Sequence, residues 1–267
     1  MHAVSLLFHD VYVTSPAESG FRSKAADRYK LSAREFDAQL ASLARSLTGA
    51  PILATDLLRG TLRAPAAARV HPVAITVDDG GVSYYTVVAE HLEALGWRGH
   101  CFVSTDAIGR PGFLSAAQLR ELDSRGHVIG SHSASHPPRF SACSTEVMRR
   151  EWSVSRQVLE GVLGHEVRTA SVPGGYYSRA VAHAAREAGL GLLFTSEPTT
   201  SLLDVGGILV AGRFTLRPGH ASDMACRFAR PRSWTRYREW ASWNAKGVVK
   251  PILGPSYSRV ADWISHA

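Results

Sequence analysis

Long hydrophobic runs are missing from this 267-residue chain. No apolar stretch approaches the ~20 residues that a membrane-crossing helix needs, so an integral membrane protein built on such helices is excluded. Residues 1–13 are too short for a secretory leader, lack a basic start and carry His9 and Asp10, so the expectation is a cytoplasmic protein. Cysteine is scarce, with only Cys101, Cys143 and Cys226, scattered and odd in number. That argues against a disulfide framework and fits a reducing compartment. No cysteine stands beside a candidate ligand motif, and each reads as a small core or surface residue. Acidic residues are also few, 23 against 30 lysines and arginines. With 45% hydrophobic content the chain can bury a large core, and its length suits one α/β barrel or two small domains.

What the chain does have is two apolar runs that stop abruptly on chemistry-bearing residues. The first, Ala74-Ile75-Thr76-Val77-Asp78-Asp79-Gly80-Gly81, reads as a buried strand carrying two adjacent carboxylates out of its end. Side by side, two ionised carboxylates repel and resist burial unless a cation or a shared proton lies between them. A strand-end turn capping the next helix is the plainer reading of the same residues. The second run, Gly126-His127-Val128-Ile129-Gly130-Ser131-His132, ends in histidine and continues to His136-Pro137. Twelve histidines spread at random over 267 residues would give about half of one pair four apart, so the spacing alone is weak. Its position at a second strand end strengthens it. Two imidazoles one helical turn apart plus one carboxylate supply three protein ligands and leave a position open for water, the pattern of a catalytic zinc site; the same set suits ferrous iron or cobalt.

Thr76-Val77-Asp78-Asp79-Gly80, followed by Leu119, Leu122, Gly126 through Ser133 and His136-Pro137, resembles the first two motifs of the polysaccharide deacetylases, the NodB-like carbohydrate esterases. The resemblance implies a distorted (β/α) barrel of about seven strands. It also implies a divalent metal, Zn2+ first, with Co2+, Ni2+ or Fe2+ as alternatives. Carried over residue by residue, Asp78 becomes the catalytic base, and Asp79, His132 and His136 the metal ligands. The likeness covers roughly residues 70 to 215 and is poor in the flanks. The family's third motif, Arg-x-Pro-aromatic-Gly, is matched by Ser171-Val172-Pro173-Gly174-Gly175-Tyr176, which lacks the arginine that orients the base. Arg213 is the candidate replacement, with a solvated strand-edge charge as its plainer role. Pro173, Gly174, Gly175 and Tyr176 are candidates for substrate contact, the glycine N–H groups facing a developing oxyanion. The late general-acid histidine has only His220 as a nearby match.

The rest of the chain supports an α/β reading. Residues 4–11 form an opening strand ending in His9 and Asp10, which join the rim if strand ends converge; some metal-dependent deacetylases begin with a similar His-Asp-Val. Residues 17–30 make a long polar connection of the kind that is functional or mobile. Ser32 and Glu35 form a capping box for a helix to Leu47, and residues 59–72 are linker-like. From residue 73, strands at 73–77, 100–104, 128–130, 169–172, 192–195 and 208–216 alternate with helices at 82–95, 115–124, 146–163 and 179–188. This alternation predicts right-handed crossovers and a parallel sheet with its site at the carboxyl ends of the strands, as a closed barrel or an open doubly wound sheet.

After residue 215 the composition changes. Seven arginines face one acid, Asp223, between Arg213 and Arg238, interleaved with Trp234, Tyr237 and Trp240. Basic residues with aromatics raise nucleic-acid binding, but no nucleic-acid module is visible. A helical tail packed on the barrel is expected, its basic face suited to an anionic or lipid-linked saccharide or to peripheral membrane contact. The whole reads as one deacetylase-like domain over residues 1–267, its core about 70–215 and its tail about 216–267. The activity implied is metal-dependent removal of the acetyl group from an N-acetylated sugar. An O-acetyl esterase, a hydrolase of another non-peptide C–N bond and a non-catalytic sugar-binding protein are the alternatives.

Overall fold

A computed structural model of the chain describes residues 2–60 and 70–253, with 246–253 in backbone only. Most of the linker-like stretch and the end of the tail therefore lie outside the described residues. Nine strands form one curled sheet: Val4–Phe8 (β1), Val73–Val77 (β2), His100–Val103 (β3), Val128–Ser131 (β4), Thr169–Ser171 (β5), Leu192–Phe194 (β6), Leu202–Asp204 (β7), Leu209–Ala211 (β8) and Phe214–Thr215 (β9). Their order is β9-β1-β2-β3-β4-β5-β6-β8-β7, parallel throughout except for the antiparallel β7–β8 edge. Every residue of β1 and β2 is buried, as expected for aliphatic strands covered on both faces.

Helices wrap the outside. Ala33–Ala44 (α1) starts on the reciprocal Ser32–Glu35 box, and its Phe36, Leu40 and Leu43 join Leu6, Phe8 and Ile75 in the largest core cluster. The expected helix 82–95 is a wide π-helical turn, Tyr84–Val88, running into Ala89–Ala94 (α2). Ala116–Ser124 (α3), Thr145–Leu163 (α4) and Arg179–Glu187 (α5) cover the following strands. Each begins on a serine N-cap, Ser115, Ser144 or Ser178, whose hydroxyl accepts an N–H of the first turn. After the short helix Met224–Ala229 (α6) the described residues close with Trp234–Leu253 (α7).

The expected strand 208–216 is broken in two, and the break carries the chain from one flank of the curled sheet to the other. β8 pairs with β6 while β9 pairs with β1 on the opposite flank of the sheet, yet only Gly212 and Arg213 separate them. A side chain at Gly212 would meet the Glu197 carbonyl oxygen at 2.3 Å, so the crossing requires glycine there. The aromatic tail also departs from expectation. Trp234, Tyr237 and Trp240 stack on one another along α7, at centroid separations of 5.1 and 6.0 Å, instead of entering the core, and all three are exposed. α7 is fastened instead by Arg236, whose guanidinium donates to the carbonyls of Phe228, Arg230 and Pro231. None of the described helices is long and apolar enough to cross a membrane.

Candidate metal centre and active site

Parallel register sets the depth of each site residue. Phe8 lies opposite Val77 in the β1–β2 ladder, so His9 leaves β1 at the level where Asp78 leaves β2. Strand side chains alternate: Phe8 and Val77 point outward into the helical core, and His9 and Asp78 therefore point inward. Asp79 would be turned away by the same alternation, but it adopts a left-handed backbone, φ 79, which returns its carboxylate to the mouth. Ser133 (φ 65) and His136 (φ 55) are the other described non-glycine residues with positive φ. Such backbones cost about 1 kcal/mol or more each and persist where the surroundings over-determine them, and here they lie at the site.

Asp79, His132 and His136 converge. Their ligand atoms lie within 4.8 Å of one another, with His132 Nε2 at 3.4 Å and His136 Nε2 at 3.6 Å from Asp79 Oδ1. Two donors bound tetrahedrally at zinc-like bond lengths of about 2.1 Å would stand roughly 3.4 Å apart, so the donor set fits a divalent ion. The two histidines reach this point differently from the sequence expectation. They lie in a loop, not one turn apart on a helix, and the left-handed residues bring the rings to 5.1 Å. Glu151 on α4 ties that loop down by accepting the N–H groups of Ala134 and Ser135 and the Ser135 hydroxyl at 2.7–3.0 Å. Phe21, brought in by the long N-terminal connection, packs on the His136 ring at 5.0 Å.

His132 is also held in one tautomer. Its Nδ1 lies 3.1 Å from the Ser171 carbonyl, which can only accept, and 2.6 Å from Ser171 Oγ. The Ser171 hydroxyl donates onward to Asp78 Oδ1 at 3.0 Å. Nδ1 therefore carries the hydrogen, and the Nε2 lone pair is left facing Asp79.

Asp78 is enclosed by Arg213. Nη1 and Nη2 donate to Oδ1 and Oδ2 at 2.7 Å each, Nε donates to the Thr195 carbonyl at 2.9 Å, and Nη1 also reaches Thr76 Oγ1 at 3.2 Å. The arginine is 0% exposed, and its guanidinium lies 5.9 Å from the centre of the Phe102 ring. Burial alone would raise the Asp78 pKa, but the Arg213 charge and the neighbouring His132 hold it well below the usual carboxylate range. Asp79 is likewise lowered against its burial, by the bond that His132 donates to it when protonated and by the charges of His9, His132 and His136. At His132 burial acts downward, while Asp78 and Asp79 outweigh it and raise the pKa. Burial lowers that of His136.

The remaining candidates divide. His9 Nδ1 is buried without a hydrogen-bond partner among the described residues, and the ring feels Asp79, Asp78 and Arg213 while burial lowers its pKa. Asp10, expected at the rim, is instead a buried clamp, 2% exposed. Its Oδ1 accepts the hydroxyls of Ser19 and Ser83 at 2.6 and 2.7 Å. It is packed so closely on Gly20 and Gly81 that a side chain at either would strike the carboxylate within 2 Å. Lys30, equally buried, donates to the carbonyls of Pro16 and Ser19 at 2.6 and 2.7 Å. The long polar connection is thereby secured to the first motif. His220 does not join the Asp79, His132 and His136 cluster. Its Nδ1 faces the Arg217 N–H at 3.4 Å, and burial lowers its pKa, with Glu239 and Arg217 as the charges acting on it. Pro173, Gly174, Gly175 and Tyr176 form a turn just beyond Ser171. The Gly175 N–H is committed to the Val172 carbonyl at 3.2 Å, which removes it as an oxyanion donor.

Sequence reasoning missed Phe21, Glu151 and Lys30. None carries a motif signal: Phe21 reaches His136 from a distant segment, and Lys30 and Glu151 bond neighbouring loops 11–17 residues away.

Residues 66–193 match the family model described as Polysaccharide deacetylase. A curated relative, the putative polysaccharide deacetylase YxkH of Bacillus subtilis (strain 168), is 25% identical over 147 residues, 55% of this chain. The match spans about half of that relative, 52% of its length. Among solved structures, the Streptococcus pyogenes deacetylase PplD in complex with acetate superposes with a TM-score of 0.70 at 21% identity, covering 86% of this chain and 99% of that one. IcaB from Ammonifex degensii gives 0.66 at 24% identity, covering 84% and 96%. The de-N-acetylase from Aggregatibacter actinomycetemcomitans gives 0.68 at 16% identity, covering 85% and 100%. At these identities the structural likeness is one of fold.

Proposed function

We propose, on the premise that this chain belongs to the polysaccharide deacetylase family through residues 66–193, that it is a metal-dependent hydrolase removing acetyl from an N-acetylated saccharide. The observation that carries this reading is the convergence of Asp79, His132 and His136 within 4.8 Å, beside a second carboxylate, Asp78, that is ion-paired instead of ligating. A divalent metal held by those three residues would supply an acidified water and polarise the acyl carbonyl.

The chain's own groups account for the remaining requirements. Asp78 is the general base. Arg213 keeps it ionised and turns both oxygens into a fixed plane. Ser171 couples the base to His132, so ligand and base share one orientation. The Gly174 N–H is the loop's candidate for the developing oxyanion. His9 replaces His220 as the acid that protonates the departing amine, because its Nδ1 is buried without a partner among the described residues and its ring feels the charges of Asp79 and Asp78, whereas His220 faces Arg217. A sugar-binding protein without catalysis would have no chemical use for a buried Asp78–Arg213 pair.

The test is acetate release from a panel of N-acetyl and O-acetyl saccharides, with metal stripped by chelation and then restored. Metal-dependent release from N-acetyl substrates is expected. Release from O-acetyl substrates alone, or saccharide binding without release, would overturn the reading.

A further inference from the structure

Four residues beyond Arg213, a second arginine reaches the same mouth in the opposite condition. Phe214 and Leu216 are core residues, and the ladder continues past β9 through the bond from the Leu216 N–H to the Leu7 carbonyl at 2.9 Å. Strand alternation therefore directs Arg213, Thr215 and Arg217 inward. Parallel strands run toward the mouth at their carboxyl ends, and at ~3.3 Å per residue Arg217 stands roughly 13 Å nearer to it than Arg213. Arg213 has its donors engaged by Asp78, Thr195 and Thr76. Arg217, by contrast, has its Nε buried with no hydrogen-bond partner among the described residues.

The guanidinium of Arg217 is held over the Tyr29 ring at 5.6 Å, and the other neighbour of Tyr29 is His9, with ring centroids 4.9 Å apart. His9 Nδ1 is the second buried nitrogen here without a partner. An aromatic ring thus carries both an imidazole, buried at the strand level of Asp78, and a cation. A cation–π contact orients a guanidinium while leaving its N–H donors in the ring plane free. Burying a donor without a partner costs free energy that a bound acceptor recovers.

We propose that Arg217, seated on Tyr29, is an anion subsite: it binds a carboxylate or phosphate on the saccharide, adjoining the N-acetylated unit that lies at the metal. The proposal rests on the deacetylase reading for the identity of the ligand as a saccharide. The charge it recognises follows from Arg217 alone, and the chain's net charge of +7 favours the approach of such a ligand.

The experiment compares N-acetylated oligosaccharides of equal length that are neutral, carry one uronic carboxylate, or carry one phosphate monoester. KM is measured with the metal-loaded enzyme, and calorimetric binding with metal-depleted protein. One or both anionic forms should bind about tenfold or more tightly than the neutral form at low salt, and the advantage should shrink as ionic strength rises. The two anionic arms tell carboxylate from phosphate recognition. Arg217→Met should bring the anionic-to-neutral ratio close to one, and Arg217→Lys should keep part of it, with thermal unfolding run alongside to show that both variants fold. Equal binding of all three ligands by the parent, or an unchanged ratio in folded Arg217→Met, would overturn the subsite. If the parent binds the anionic saccharides through Arg217 yet hydrolyses none, the deacetylase reading fails and the subsite stands.

Discussion

Arg213 grips Asp78 with both terminal nitrogens, Nη1 on Oδ1 and Nη2 on Oδ2, at 2.7 Å each. In the polysaccharide deacetylase motif that residues 171–176 resemble, the arginine comes from the strand that here ends in Ser171; here the guanidinium comes from the segment that crosses between the two flanks of the sheet. Two consequences can be measured. Arg213→Met should move the acid limb of the pH–rate profile upward, because Asp78 loses the charge that holds its pKa down. It should also destabilise the fold by about 3–5 kcal/mol by leaving a buried carboxylate alone. The pair's stabilisation is present above the unfolded-state carboxyl pKa of about 4 and fades only as pH falls through the lower folded value. Arg213→Met combined with Asp78→Asn should recover part of the stability in chemical denaturation. A profile for Arg213→Met that overlays the parent would remove the residue from the site.

The proposed ligation and base catalysis should be separable by mutation. The parent should bind about one divalent ion per chain, and His132→Ala should lose it, since three ligands are the minimum for a firm catalytic site. Asp78→Asn should keep the ion and lose turnover by about 100-fold or more. Because His132 has its pKa raised, metal affinity should weaken toward acid as that imidazole takes up a proton. Elemental analysis with chelator competition at several pH values reads all three, and equal metal loss in both variants would make Asp78 a ligand.

Ser171→Ala tests the tautomer lock. Without the hydroxyl, His132 retains only the carbonyl bond and Asp78 loses a donor, so metal affinity should fall by about tenfold, the lower end for a lost orienting partner. Unaltered affinity in competition titrations would mean that the Ser171 carbonyl suffices alone.

The two candidate acids make opposite predictions. His9→Gln should lower turnover by about 100-fold with metal retained, whereas His220→Gln should leave the turnover for neutral substrates near that of the parent. Steady-state kinetics on both variants decide it; the reverse order would restore His220 as the acid.

Asp10 adds a pH-dependent element to stability. Burial raises its pKa to about 6, against the opposing bonds from Ser19 and Ser83. A carboxyl raised in the folded state contributes stability that is full below its unfolded pKa of about 4, and that is lost as pH rises through about 6. Asp10→Asn should lack that slope, so the difference between variant and parent melting temperatures should change in the variant's favour as pH rises through this window. A parallel pair of curves would mean that Asp10 titrates normally.

How much of this was legible in the sequence follows from the range of each signal. The first two motifs are local: Asp78 and Asp79 end one strand, His132 and His136 lie within five residues of each other after another, and parallel α/β topology sends both ends to the same mouth. Strand and helix periods gave the order of elements for the same reason. Tertiary structure alone decided the rest. Arg213 could be named from the sequence as a replacement for the missing motif arginine, but that its guanidinium meets Asp78 depends on the chain crossing between the flanks of the sheet at Gly212, a contact across 135 residues with no spacing rule behind it. His9 turned into the mouth and Asp10 to the opposite face, onto Ser19 and Ser83, because strand alternation splits adjacent residues between two faces, and which face is the interior depends on the curl of the whole sheet. Phe21 and Tyr29 reach the site because two buried polar side chains, Asp10 and Lys30, hold a segment that without them has no pattern to read.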